Sequence, residues 1–192
     1  MRVFNDFEDL KSAVGTEIGV SDWHQVTQEQ IDRFADATGD DQWIHVDVER
    51  AKSELPGQKT IAHGILTLAL APEFIRNVAR IRGLKRTLNY GTNRIRYLAP
   101  VPSGARLRGR VTISNAEDVA PNGLRVTYGV TTEVEGGNRP ACVAELIALH
   151  YREANLENWR CAGKRHVWTA PAVGGTSCHF QRSSRVQPCS GF

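Results

Sequence analysis

The chain has 192 residues, 41% apolar and 23% charged, the proportions of one soluble globular domain with an appendage rather than of two full domains. No run approaches the roughly 18 uninterrupted apolar residues of a membrane helix, and the start, MRVFNDFEDLKSAVG, has acids among its first ten residues, which argues against a secretory signal. The net charge of +3 is uneven: residues 1–151 hold 18 Lys and Arg against 19 Asp and Glu, whereas 152–192 hold 6 against 2. The near-neutral body therefore lacks the basic face that nucleic acid requires.

In chain order, the first helix after the N-terminal segment is expected to start at Thr27, whose hydroxyl can cap it, with Gln30 as capping-box partner. Ile31, Phe34 and Ala35 mark its apolar face, and Gly39 is its expected end. The segment from Gly39 to His45 then reads as a loop. A short helix is expected around Val48 to Ser53, broken by Pro56-Gly57. The stretch IAHGILTLALAPEFIRNVARI is apolar on nearly every side between Ile61 and Ala71, which predicts a long buried helix that Pro72 bends or interrupts.

From Lys85 onward the apolar period becomes two. Ile95 and Tyr97, then Leu107, Val111 and Ile113, then Leu124 to Val130, and finally Ala141 to Tyr151 mark successive strands. Pro100 to Gly104, Pro121-Asn-Gly123 and Glu135 to Asn138 supply the turns. A buried helix followed by an antiparallel meander predicts an α+β domain over residues 1–151, with a curved sheet wrapped around the helix. Exposed sheet edges make edge-to-edge dimerisation an expectation. Residues 152–192 have no sustained period, are rich in Gly, Ser, Pro and Arg, and are expected to be a disordered basic tail.

Cys142 is the lone cysteine of the first 151 residues and lies in the apolar run ACVAELIAL, where a buried inert thiol is expected. Cys161, Cys178 and Cys189 fall in the tail without a CxxC pair, so neither a zinc site nor a disulfide framework is indicated. A reducing cytoplasm suits this distribution.

Two elements could carry chemistry. Asp40 and His45 lie five apart on one loop, a spacing at which a carboxylate and an imidazole can converge on one water, although Asp40 could equally serve only the turn and His45 only the surface. Ile61-Ala62-His63-Gly64 opens the apolar helix, where first-turn N–H groups lack intrahelical partners and Gly64 allows close approach of a substrate oxygen.

The run Phe34-Ala-Asp-Ala-Thr-Gly-Asp-Asp-Gln-Trp-Ile-His45, followed by Asp47, Ala51 and Ile-Ala-His-Gly64, resembles the hydratase-2 motif of MaoC-like (R)-specific enoyl-CoA hydratases. The resemblance continues from Asn89 through Gly104 to about Tyr151, and Gln42-Trp43, where the family most often has Asn-Pro, is closer to the nodulation-protein-N-like branch. It implies a single hot-dog fold, with the helix as sausage and the sheet as bun, usually a homodimer with CoA near the subunit boundary. It further implies that Asp40 and His45 hold the water that adds to a trans-2-enoyl thioester, and that the Gly64 N–H steadies the thioester oxygen. No metal or redox cofactor is then needed, CoA entering only as part of the substrate.

Gln42, Trp43, His63, Asn93 and Arg96 are further substrate-binding candidates, Gln42 as a loop-holding amide and Trp43 as bulk that could reshape the acyl tunnel or seal the subunit interface. Arg94, Arg96, Arg106 and Arg108 could meet CoA phosphates, but alternating arginines equally suit a solvated strand face. His45, Asp47 and His63 could be drawn as a metal set, a reading set aside for want of a supporting shell. The rival activities are a hot-dog thioesterase and a non-catalytic acyl-thioester-binding subunit.

Overall fold

The computed structural model of the protein describes residues 1–152, so the expectations for the tail lie outside the described residues. Eight strands and six helices follow in the order β1 (Arg2–Phe4), α1 (Phe7–Ser12), β2 (Glu17–Val20), β3 (His24–Gln25), α2 (Gln28–Thr38), α3 (Trp43–Val46), α4 (Val48–Glu54), α5 (Gly64–Ala69), α6 (Ala71–Val78), β4 (Ala79–Ile81), β5 (Arg86–Tyr97), β6 (Arg106–Val119), β7 (Gly123–Val134) and β8 (Cys142–Tyr151). The main sheet has the order β2-β6-β7-β8-β5, with β3 also paired to β6, and its pairings are antiparallel. A separate parallel pair joins β1 to β4.

The period-two pattern translates directly into sides of the sheet. Along β8 buried and half-buried residues alternate without a break, from Cys142 and Ala144 to Ala148 and His150. The inward set of β6 and β7, Val111, Ile113, Leu124, Val126 and Val130, packs with Phe4, Leu10 and Val78 in one core, while Phe74, Leu66, Leu70 and Ile31 form a second with Leu107. Helix α6 lies close on the sheet because Gly109 has no side chain: a Cβ there would come within 2.5 Å of the Phe74 Cβ. Burying these side chains supplies most of the driving force, at about 1.5–3 kcal/mol for each large apolar group.

The expected long central helix is divided. Leu70 separates α5 from α6, and Pro72 stands in the first turn of α6, where its missing N–H costs nothing. The apolar run is not buried all round either, since Ile65 is 56% exposed, and its last residues leave the helix to form β4. Helix α2 starts and stops as expected: the Thr27 hydroxyl accepts from the Gln30 N–H at 3.2 Å, and Gly39 closes it in the left-handed conformation. The capping box is only half formed, because the Gln30 amide oxygen bonds the His24 ring instead.

Strand β5 is one edge of the main sheet. It pairs on one side with β8 through two bulges and is mostly exposed along its 12 residues. No helix among the described residues is long and apolar enough to cross a membrane.

Candidate functional site

The loop that leaves α2 at Gly39 does not run irregularly to His45. Residues 43–46 form the single turn α3, and His45 sits on it, 7% exposed. Three contacts fix that turn: the Ile61 N–H donates to the Ile44 carbonyl (3.0 Å), the Gln28 amide donates to the His45 carbonyl (2.8 Å), and the His45 Nδ1 lies 2.6 Å from the Ile61 carbonyl. Gln28 is itself held, by Asp32 and by the Thr60 hydroxyl.

Because a carbonyl only accepts, the neutral His45 ring carries its proton on Nδ1 and presents Nε2 as a bare lone pair. The same logic fixes His63, which is 3% exposed. Its Nε2 donates to the Asp40 carbonyl at 2.8 Å, leaving Nδ1 buried without a partner among the described residues. The two imidazoles stack with centroids 3.8 Å apart, and Phe34 covers His63 at 4.9 Å.

The Asp40 side chain is exposed, yet its carboxylate, a His45 nitrogen and a His63 nitrogen all come within 4.8 Å of one another. Two hydrogen bonds of about 2.8 Å that meet at one water span about this distance. A metal ion suits the cluster less well. Imidazole lone pairs lie in the ring plane, and an ion between two rings stacked at 3.8 Å would sit far out of both planes. Asp47 belongs to neither arrangement: its carboxylate caps α4 by accepting from the Arg50 N–H at 2.9 Å.

His45 and Gly64 share the wall of a cavity of about 320 Å³ with Ile61, Thr67, Tyr97 and Val101. The Gly64 N–H, at the first position of α5, makes no hydrogen bond within the described residues. The Tyr97 ring lies directly on Gly64, where a Cβ would approach three ring atoms at 3.1 Å. Burial raises the Tyr97 hydroxyl above its ordinary range, with the neighbouring Cys142 adding to the effect. Burial likewise pushes the Cys142 thiol up to about 11, an inert thiol as expected.

Other expected contacts are not made. Trp43 is clamped by the Arg50 guanidinium at 4.0 Å and does not line the cavity, and the exposed Gln42 holds α3 through its backbone carbonyl, which accepts from the His45 N–H, and not through its amide. Asn93 and Arg96 are exposed on β5, away from the cavity wall, and the Arg96 guanidinium turns back to the Ile95 carbonyl. Arg94, Arg106 and Arg108 pair with Glu145, Glu135 and Glu133, so all three are engaged in ion pairs within the protein. Arg108, with Arg110, holds the Glu133 carboxyl below its usual range. Gln28, Thr67 and Tyr97 went unrecognised in the sequence. Tyr97 carried a strand signal there, but only the path of the edge strand brings it onto Gly64.

Residues 9–135 match the MaoC like domain family. The chain belongs to that family. Among MaoC-like relatives, the 3-hydroxyacyl-thioester dehydratase Z of Mycobacterium tuberculosis is 48% identical over 150 residues, 78% of this chain and 99% of the relative. Nodulation protein N of Rhizobium leguminosarum bv. viciae is 45% identical over 142 residues, 73% of this chain and 88% of the relative. An R-hydratase of Pseudomonas aeruginosa, solved unliganded, superposes with a TM-score of 0.56 at 24% identity, over 73% of this chain and 83% of its own, and so supports the hot-dog fold.

Proposed function

We propose that the protein hydrates trans-2-enoyl-CoA thioesters to (R)-3-hydroxyacyl-CoA and catalyses the reverse dehydration. The observation that carries the reading is the approach of the Asp40 carboxylate to within 4.8 Å of a ring nitrogen of His45, a ring whose Nε2 is left as the bare lone pair, with His45 in the same cavity wall as the Gly64 N–H, which has no partner among the described residues. The printed activity of the 48% identical relative, a 3-hydroxyacyl-thioester dehydratase, supports it.

In this mechanism Asp40 accepts one O–H of a water while His45 Nε2 accepts the other and removes that proton as the oxygen bonds to C3. The electron pair of the C2–C3 double bond moves toward the thioester, whose oxygen gains charge and is met by the Gly64 N–H. The proton on His45 then passes to C2, and the pair returns to its starting state. Every step is a proton or electron-pair transfer, so the reaction is proposed to need neither metal nor redox cofactor. His63 acts at one remove, holding the Asp40 backbone and packing on the His45 ring.

The working unit is proposed to be a homodimer in the cytoplasm, joined along β5. That strand is open on one edge, and Tyr90, Tyr97 and Ile65 are 54%, 46% and 56% exposed. Exposed edges of this length are normally paired or covered. Incubation with crotonyl-CoA tests the reading: loss of enoyl-thioester absorbance without free thiol, and a product accepted by an (R)-specific dehydrogenase, is expected. Thiol release would make the protein a thioesterase.

A further inference from the structure

A second cavity, of about 990 Å³, opens between α6 and the β5, β8 and β7 strands, and it shares no residue with the cavity of His45 and Gly64. That volume is in the range of small-molecule sites. Ile75, Leu84, Leu146 and Ala148 make much of its wall apolar, but three polar side chains of that wall are linked in a chain. The Tyr128 hydroxyl lies 2.8 Å from His150 Nε2, and His150 Nδ1 lies 2.9 Å from the Thr87 hydroxyl. Tyr128 and His150 are 2% and 5% exposed, and Thr87 stands on the exposed edge strand.

At neutral pH burial keeps the Tyr128 phenol protonated and His150 neutral, so Thr87, His150 and Tyr128 bring one hydrogen each. The two links use two of them. One O–H is therefore always left over, on Thr87 in one tautomer of His150 and on Tyr128 in the other, and both residues line the cavity. An apolar wall thus carries a surplus hydrogen-bond donor that only an acceptor can satisfy. Arg76 and Arg80 line the same cavity, are exposed, and meet no carboxylate within 4.0 Å among the described residues.

We propose that this cavity is a second binding site, for an apolar chain that carries an oxygen acceptor, with a carboxylate matching the donor and the Arg76 and Arg80 guanidinium groups best. Thr87 and Tyr97 are ten residues apart on β5, about 30 Å in an extended strand, so within one protomer this is a place distinct from the His45 cavity. Its occupant has two possible sources: a free fatty carboxylate, or the oxygenated far end of an acyl chain whose thioester lies in the catalytic cavity of a second copy. The binding claim stands without the hydratase reading, and only the second source rests on it.

Titration calorimetry of the full chain with decanoate and with decylamine, which has the same chain but a donor head, tests the site. Decanoate is expected to bind and decylamine to bind at least tenfold more weakly. Thr87→Val and Tyr128→Phe, each checked for folding by circular dichroism, remove the two hydroxyls that can carry the surplus O–H in turn, and the variant that lacks the hydroxyl meeting the ligand is expected to weaken decanoate by about tenfold, as for one hydrogen bond to a charged group. Equal affinity for the two probes, no decanoate binding, or affinity unchanged in both folded variants would overturn the proposal. Turnover of trans-2-decenoyl-CoA against the same chain with a terminal carboxylate separates the sources: preference for the carboxylate assigns the acyl tail, and decanoate binding without that preference assigns a free ligand. Decanoate binding by a protein that does not turn over crotonyl-CoA would remove the hydratase reading and leave this site standing.

Discussion

The His63 imidazole lies face to face on that of His45, centroids 3.8 Å apart, and the same ring donates from Nε2 to the Asp40 carbonyl. One side chain thereby sets the ring of one proposed catalytic residue and the backbone of the other. His63→Phe keeps an aromatic ring on His45 but removes the donor to Asp40. A small misplacement of reacting groups can cost about 10²-fold in rate, so kcat is expected to fall by about 10–100-fold with KM for crotonyl-CoA within about twofold. A loss carried by KM instead would make His63 a substrate contact.

Gly64 and Tyr97 are expected to couple. A methyl at residue 64 would press on the Tyr97 ring at 3.1 Å, so Gly64→Ala should cost about 1 kcal/mol or more in an otherwise unchanged chain. In a Tyr97→Ala background that cost should vanish. Thermal melts of the four proteins measure the coupling, and additive effects would show that the two residues do not touch.

Burial lowers the His150 pKa from its ordinary 6.5 to about 4. Between those values the unfolded chain binds a proton that the folded chain refuses, so stability is complete above about pH 6.5 and is lost as pH falls toward 4. The loss amounts to roughly 3 kcal/mol at about 1.4 kcal/mol per pH unit. Urea midpoints from pH 7 to 4 for the natural chain and for His150→Phe check it, the variant being expected to show the shallower decline.

Asp47 stands in the motif shared with the hydratases, but its carboxylate caps α4. Asp47→Ala is expected to lower stability by about 1 kcal/mol and to leave the rate with crotonyl-CoA unchanged. A fall in rate of more than tenfold with stability intact would give Asp47 a part in the chemistry.

The elements that local chemistry dictates were legible in the sequence. Thr27 and Gly39 bound α2, a period-two apolar pattern marks β6 to β8, and the run from Phe34 to Gly64 resembled a family that residues 9–135 match. What escaped depends on contacts between distant segments. The turn at His45 exists because Ile61 and Gln28 satisfy it from 16 and 17 residues away. Tyr97 meets Gly64 only because β5 returns along the start of α5, and the chain from Thr87 through His150 to Tyr128 joins three strands. Trp43 read as bulk for the tunnel or the interface from its size, whereas Arg50, seven residues onward in α4, takes its ring.

In the proposed chemistry the Asp40 carboxylate and His45 activate a water for addition to an enoyl thioester. The most direct test follows enoyl-thioester absorbance with crotonyl-CoA for the natural chain and for Asp40→Asn, with folding of both confirmed. Hydration without thiol release is expected in the first and a loss of about 10²–10⁴-fold in the second, the range for a positioned acid or base. A folded Asp40→Asn protein that hydrates crotonyl-CoA at the full rate would contradict that chemistry.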